Sequence, residues 1–280
     1  MSRKNVQQWL AEFREEAGIG RHRAKTISIL SGKGGVGKTT LAISLAKVLA
    51  KRFQVLLIDC DYNLSNTAVK LNLPLNNNFY ELVRGEKSFT QAIYRPDNFH
   101  LLAGCNGNIE LFENALPVDQ IIIEIMAAVE NQYDYILLDC PAGMQKRILN
   151  LNAYCDYRFI VATADKASLT DAYALIKILQ TQYGIRQNYL IANKIATPQQ
   201  FWQMASALES TVENFLHGRL HILGHIGIES GINDLRGLTL SPQLDQALES
   251  LLEKFQKNQP QTAPLQFADN SAAFLRQEQE

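Results

Sequence analysis

From Lys25 onward the chain alternates short apolar runs with longer ones in which apolar residues recur every three or four positions. The short runs are KTISILS (25–31), FQVLLID (53–59), NFHLLAG (98–104), YDYILLD (133–139), YRFIVAT (157–163), NYLIAN (188–193) and LHILGHIGI (220–228). They are rich in Ile, Leu and Val and apolar on both faces, as strands of a sheet covered by helices on both sides must be. The longer runs at 39–51, 118–132, 168–183, 198–216 and 241–256 carry the helical period. Strand followed by helix, repeated, predicts an α/β fold: a single doubly wound, mostly parallel sheet flanked by helices over residues 25–258. Residues 1–24 read as a separate helical segment whose Trp9, Leu10 and Phe13 form an apolar face fit to dock a partner. Residues 259–280, rich in Gln, Pro and Ala, read as a flexible tail with little to bury.

Composition narrows this picture mainly by exclusion. A net charge of −1 supplies no overall attraction for nucleic acid or for an anionic membrane, so no direct nucleic-acid binding is expected. No apolar run approaches the roughly 18 residues that span a bilayer, and MSRKNVQQWLAEF lacks the apolar stretch of a leader. The expected location is the cytoplasm, with at most a transient peripheral contact at the inner face of the cell membrane. Asp245, Glu249 and Glu253 on the last predicted helix make membrane association weak or absent. Four cysteines, Cys60, Cys105, Cys140 and Cys155, lie far apart with no C-x-x-C pair and read as free buried thiols.

The candidate chemistry begins at SGKGGVGKTT (31–40), between a predicted strand and a predicted helix. GKGGVGKT satisfies G-x-x-x-x-G-K-[ST], a loop whose glycines turn the backbone so that successive N–H groups face phosphate oxygens. Gly34, Gly35, Val36, Gly37, Lys38, Thr39 and Thr40 are the expected nucleotide-binding residues. Lys38 reaches the outer phosphates, and the Thr39 hydroxyl ligates Mg²⁺. The cofactors implied are ATP and Mg²⁺.

The early lysine, Lys33, goes beyond that motif. K-G-G-V-G-K-T (33–39) resembles the deviant phosphate loop of the MinD/ParA class of P-loop ATPases. The resemblance implies a MinD-like fold, slow regulatory ATP hydrolysis, and an ATP-dependent homodimer in which Lys33 crosses the interface to the partner's phosphates. The electrostatics agree, because two nucleotides facing each other across an interface repel and a lysine from each side offsets that. The strand ends LLIDCDYNLSN (56–66) and ILLDCPAGM (136–144) resemble the acidic strands of the same class. By that resemblance Asp61 orients the attacking water, Asp59 sits near the magnesium shell, Asp139 holds the metal through its water shell, and Gly143 is a hinge. Lys33, Lys38 and Asp61 form the catalytic set; Thr39, Asp59 and Asp139 form the metal set. IANKI places Asn193 where the class sets an asparagine against adenine. LGHIGIE (223–229) departs from the class pattern, with Gly227 for a proline and Glu229 for an aspartate.

DKASLTDAYALIKILQTQYGI (165–185) resembles the flagellar, FlhG/FleN-type branch of this class, and the similarity runs from about Lys25 to about Phe255. It implies regulation of flagellar number or placement. The partners implied are the flagellar SRP-type GTPase, met through the N-terminal helix, and a flagellar transcription activator. NVQQWLAEFRE (5–15) lacks the D-Q-A-x-x-L-R string usual in that helix. Two alternatives stay open: a MinD-type division-site or ParA-type partition ATPase, and an iron–sulfur carrier of the nitrogenase iron-protein class using Cys105 and Cys140.

Overall fold

All seven apolar runs are strands, and they pair into one sheet. They are β1 (Lys25–Leu30), β2 (Val55–Asp59), β3 (Phe99–Leu102), β4 (Tyr135–Asp139), β5 (Tyr157–Ala162), β6 (Gln187–Ile195) and β7 (Arg219–Gly227). The order is β3-β2-β4-β1-β5-β6-β7, and every neighbouring pair is parallel. The computed structural model describes residues 23–61, 66–105, 117–228 and 240–259. Most of the predicted N-terminal helix, the tail beyond Gln259, and Glu229 lie outside the described residues.

Alternate residues of each strand feed two cores. Ile27, Ile29, Val55 and Leu57 point to one face, against helices α1 (Lys38–Ala50) and α9 (Pro242–Lys257). Leu30, Leu56 and Ile58 point to the other. There they meet α5 (Val118–Val129), α6 (Lys146–Tyr154), α7 (Lys166–Tyr183) and α8 (Pro198–Leu216). Three short helices, α2 (Asn66–Lys70), α3 (Asn78–Val83) and α4 (Phe89–Ala92), lie in the β2–β3 connection.

Helix α9 shows why the last amphipathic run belongs to the core. Ser241 caps it by accepting from the Leu244 N–H at 3.2 Å, and Pro242 opens its first turn. Leu244, Leu248, Leu251, Leu252 and Phe255 are buried, a gross hydrophobic gain on the order of 10 kcal/mol. On its polar face Asp245 and Glu249 receive Lys51 at 2.6 and 3.2 Å. The apolar stripe that a membrane-binding helix would present is therefore already covered.

Candidate functional site

The carboxyl ends of the parallel strands form one edge, where doubly wound sheets bind ligands. After β1 the chain turns through Gly35 (φ 77°) and Gly37 (φ 98°) into α1. Gly37 must be glycine twice over: its φ is left-handed, and a Cβ there would lie 2.4 Å from the Asn193 amide nitrogen. Helix α1 has no side-chain cap and no acidic residue in its first turn. Its leading N–H groups and the positive end of its dipole are thus left for an anion. A cleft of about 660 Å³ opens above it, lined by Gly34, Gly37, Lys38, Thr39, Thr40, Asp61, Asp139, Asn193 and Gly227 among others.

The floor of this cleft is buried and overcharged with carboxylates. Lys38 is 8% exposed and donates from Nζ to Ser31 Oγ at 2.9 Å. Burial holds its pKa below the usual lysine value, partly offset by Asp139, the Cys140 thiol and Asp61. Asp59 and Asp139 are register partners on β2 and β4, both nearly inaccessible to solvent. Burial, and then the neighbouring Asp59 carboxylate, push the Asp139 carboxyl up to about 8; Thr39 and Lys38 pull it the other way. Its Oδ1 is buried with no hydrogen-bond partner. A buried acid with an orphaned oxygen, a second acid beside it and the Thr39 hydroxyl on it suit a divalent cation. Among the described residues no three His, Cys, Asp or Glu side chains cage a metal by themselves.

The metal set is brought together, but Asp59 is already occupied by its own loop. Its Oδ1 accepts from the Asp61 N–H at 3.0 Å and its Oδ2 from Thr67 Oγ1 at 2.6 Å. It thereby fixes where Asp61 stands, while Asn66 Nδ2 approaches Asp61 Oδ2 at 3.4 Å. The segment after β4 is tied to β1 through Cys140 N to Ile29 O at 3.1 Å and to the start of the phosphate loop through Gly143 N to Ser31 O at 3.2 Å. Gly143, with φ 114°, occupies a conformation that suits a hinge.

At the opposite end of the loop two residues of β6 brace its carbonyls. Asn193 Nδ2 donates to Val36 O at 2.7 Å, and Lys194, itself at φ 57°, donates to Gly35 O at 2.8 Å. The amide nitrogen of Asn193 is thereby committed to the loop, which leaves Oδ1 as its acceptor atom. Lys33 stands outside the cleft on a second hollow of about 330 Å³, lined by Gly34, Gly35, Thr163, Asp165, Lys194 and Gln200 among others. Its Nζ donates to Asp165 Oδ1 at 3.0 Å.

Ser31, Asn66, Thr67, Asp165 and Lys194 are the site residues that sequence reasoning missed. Asp165 was the most accessible of them, because D-x-x-S before a helical run is a capping signal. The others are marked only by where the fold carries them. Cys105 and Cys140, the pair offered for an iron–sulfur cluster, are both buried, and burial pushes the Cys105 thiol up to about 12.

Comparison with known proteins agrees with this fold. The family described as AAA domain matches residues 24–191. The chain is 25% identical to the antiactivator FleN of Pseudomonas aeruginosa over 213 residues, covering 75% of this chain and 76% of FleN. It is 31% identical to the flagellum site-determining protein YlxH of Helicobacter pylori over 207 residues, 72% of this chain and 69% of YlxH. Among solved structures it is similar to the cell division ATPase MinD of Pyrococcus furiosus. There the TM-score is 0.68 at 25% identity, over 84% of this chain and 99% of that one.

Proposed function

Because this chain belongs to the MinD/ParA class of P-loop ATPases, we propose that it is an ATP-driven switch whose ATP-bound form is a dimer and whose output is the regulation of flagellar number or placement. The observation that carries the switch is the placement of two lysines around one loop. Lys38 is buried in the cleft beside Asp139, whereas Lys33 stands on the exposed rim, where a second subunit can meet it. In this reading Lys38 and the N-terminus of α1 hold the phosphates. Thr39 and Asp139 hold Mg²⁺, which neutralises charge on the outer phosphates. Asp61, steadied by Asp59, orients the water that attacks the terminal phosphate, and Lys33 reaches the nucleotide of the other protomer. Hydrolysis is slow and resets the dimer.

The flagellar assignment draws on the similarity to FleN and YlxH. The partners that fit it are the flagellar SRP-type GTPase, met through residues 1–24, and a flagellar transcription activator. A MinD-type division-site role is the second reading, favoured by the similarity to Pyrococcus furiosus MinD; a ParA-type role requires binding to DNA. A DNA-binding assay across a salt series separates that last case, since partition activity demands binding that strengthens as salt falls.

The switch itself is tested by the solution mass of Asp61→Ala, measured by light scattering with ATP–Mg²⁺ and with ADP. Hydrolysis falls about 100-fold or more in this variant, and ATP alone yields a dimer that Lys33→Ala abolishes. A protein that binds ATP and stays monomeric sinks the proposal.

A further inference from the structure

Lys33 can act on a second subunit only if its ammonium group is free to leave its own. In this chain it is held. Its Nζ lies 3.0 Å from Asp165 Oδ1, and its backbone carbonyl accepts from Ser31 Oγ at 2.6 Å. Asp165 is rigidly placed. Its Oδ2 accepts from Thr163 Oγ1 at 2.6 Å, and its Oδ1 also accepts the Ser168 N–H at 3.0 Å as the N-cap of α7. Those two bonds and Lys33 together hold the Asp165 carboxyl well below the usual carboxylate range, so it stays ionised at any physiological pH. Nearly two turns on, α7 presses on the same loop: a Cβ at Gly32 would lie 2.5 Å from the Asp171 carbonyl oxygen. The helix that begins at Asp165 thus touches the loop through packing at Gly32 and through charge at Lys33.

From this arrangement we infer that Asp165 is a positioning residue that latches Lys33 in cis and so sets how readily the ATP-bound dimer forms. The inference rests on the switch reading above. Each protomer must open one latch before its lysine reaches the partner's nucleotide, so two ion pairs oppose every association. Both groups are nearly half exposed, which makes each pair weak, worth about 1.4- to 5-fold in an equilibrium constant. A weak latch suits a switch, because it raises the ATP-dependent threshold without blocking the dimer. When Lys33 departs, Thr163 and Ser168 still satisfy Asp165, and α7 keeps its cap.

Asp165→Asn tests this cleanly, since asparagine caps a helix as well as aspartate does but carries no charge. In the Asp61→Ala background with ATP–Mg²⁺, the dimer dissociation constant from sedimentation equilibrium is expected to fall about 2- to 30-fold, the square of the single-pair effect. In the nucleotide-free protein, peptide-resolved labelling with an amine reagent is expected to modify Lys33 several-fold faster in Asp165→Asn, with other lysines unchanged. A purely structural role for Asp165 predicts a lowered melting temperature and no selective change at Lys33. Unchanged labelling of Lys33 overturns the latch. So does an unchanged or weaker dimer in Asp165→Asn while Asp61→Ala still dimerises, and that result leaves the switch intact. No ATP-dependent dimer in any variant overturns both, and a change in Lys33 labelling then marks the ion pair as a local contact only.

Discussion

The floor and the rim of the phosphate loop belong to one short segment and are opposite in state. On the floor, Asp59 and Asp139 face each other across adjacent strands beside the buried Lys38, and one oxygen of Asp139 has no partner. On the rim, Lys33 is matched to Asp165, Lys194 to Gly35 O, and Thr163 and Ser168 complete the set. The floor is unfinished without a ligand and gains when nucleotide and metal arrive. The rim is finished without one and must be partly undone before it can serve a second subunit. Binding and dimerisation thus draw on different parts of the loop, and variants of each should be separable.

The largest expected effect is on the floor. Lys38→Ala removes the buried lysine beside Asp139 and the charged hydrogen bonds proposed for it to phosphate, so ATP affinity by calorimetry should fall about 100-fold. Lys33→Ala, by contrast, leaves monomer affinity within about threefold, as an exposed rim group should. Equal losses in the two variants would erase the distinction between floor and rim. Asp139→Asn probes the same contrast through stability. The raised carboxyl is ionised at a cost that appears as pH climbs from the ordinary carboxylate value to about 8. The wild-type nucleotide-free protein therefore loses stability across that window and the asparagine variant does not. At pH 8 Asp139→Asn should melt on the order of 3 °C higher than wild type, and near pH 4 the two should coincide. With ATP–Mg²⁺ the order should reverse if Asp139 holds the metal as proposed.

How much of this was readable before the fold was known differs between the same two regions. The seven strands and five long helices were legible because each is long enough to show its period and is buried as that period demands. Helix α6 was not. Its Asn150 and Asn152 turn inward, to Asp119 at 2.9 Å and Ile148 O at 2.8 Å, and they interrupt the apolar stripe that would have marked it. Helices α2, α3 and α4 are too short for any period. The floor residues could be named because the P-loop spacing and the acidic strand ends are local patterns. The rim could not be assembled in the same way. Asp165, Lys194 and Lys33 come from different strand ends, and only the β1-β5-β6 order brings them to one hollow. Asn193 was expected at the base; its bond to Val36 O shows it bracing the loop, a task that no sequence pattern carries.

That bracing gives the finest test, because the two β6 braces do the same job on adjacent carbonyls in different surroundings. The Asn193 bond to Val36 O is buried, whereas the Lys194 bond to Gly35 O is exposed. Losing the first strands a carbonyl away from water, which costs about 1–3 kcal/mol. Losing the second lets water replace the ammonium group and costs well under that. Asn193→Ala should therefore raise the KM for ATP about 10-fold, and Lys194→Ala only about twofold, in steady-state hydrolysis. The asparagine variant would also lose the base contact expected of Asn193, so a triphosphate-only probe, inorganic tripolyphosphate competing with ATP, isolates the brace. Its affinity should fall in Asn193→Ala by more than in Lys194→Ala. If the lysine variant is the weaker binder of tripolyphosphate, Lys194 contacts phosphate directly, and the rim reaches further into the cleft than its exposed hydrogen bond implies.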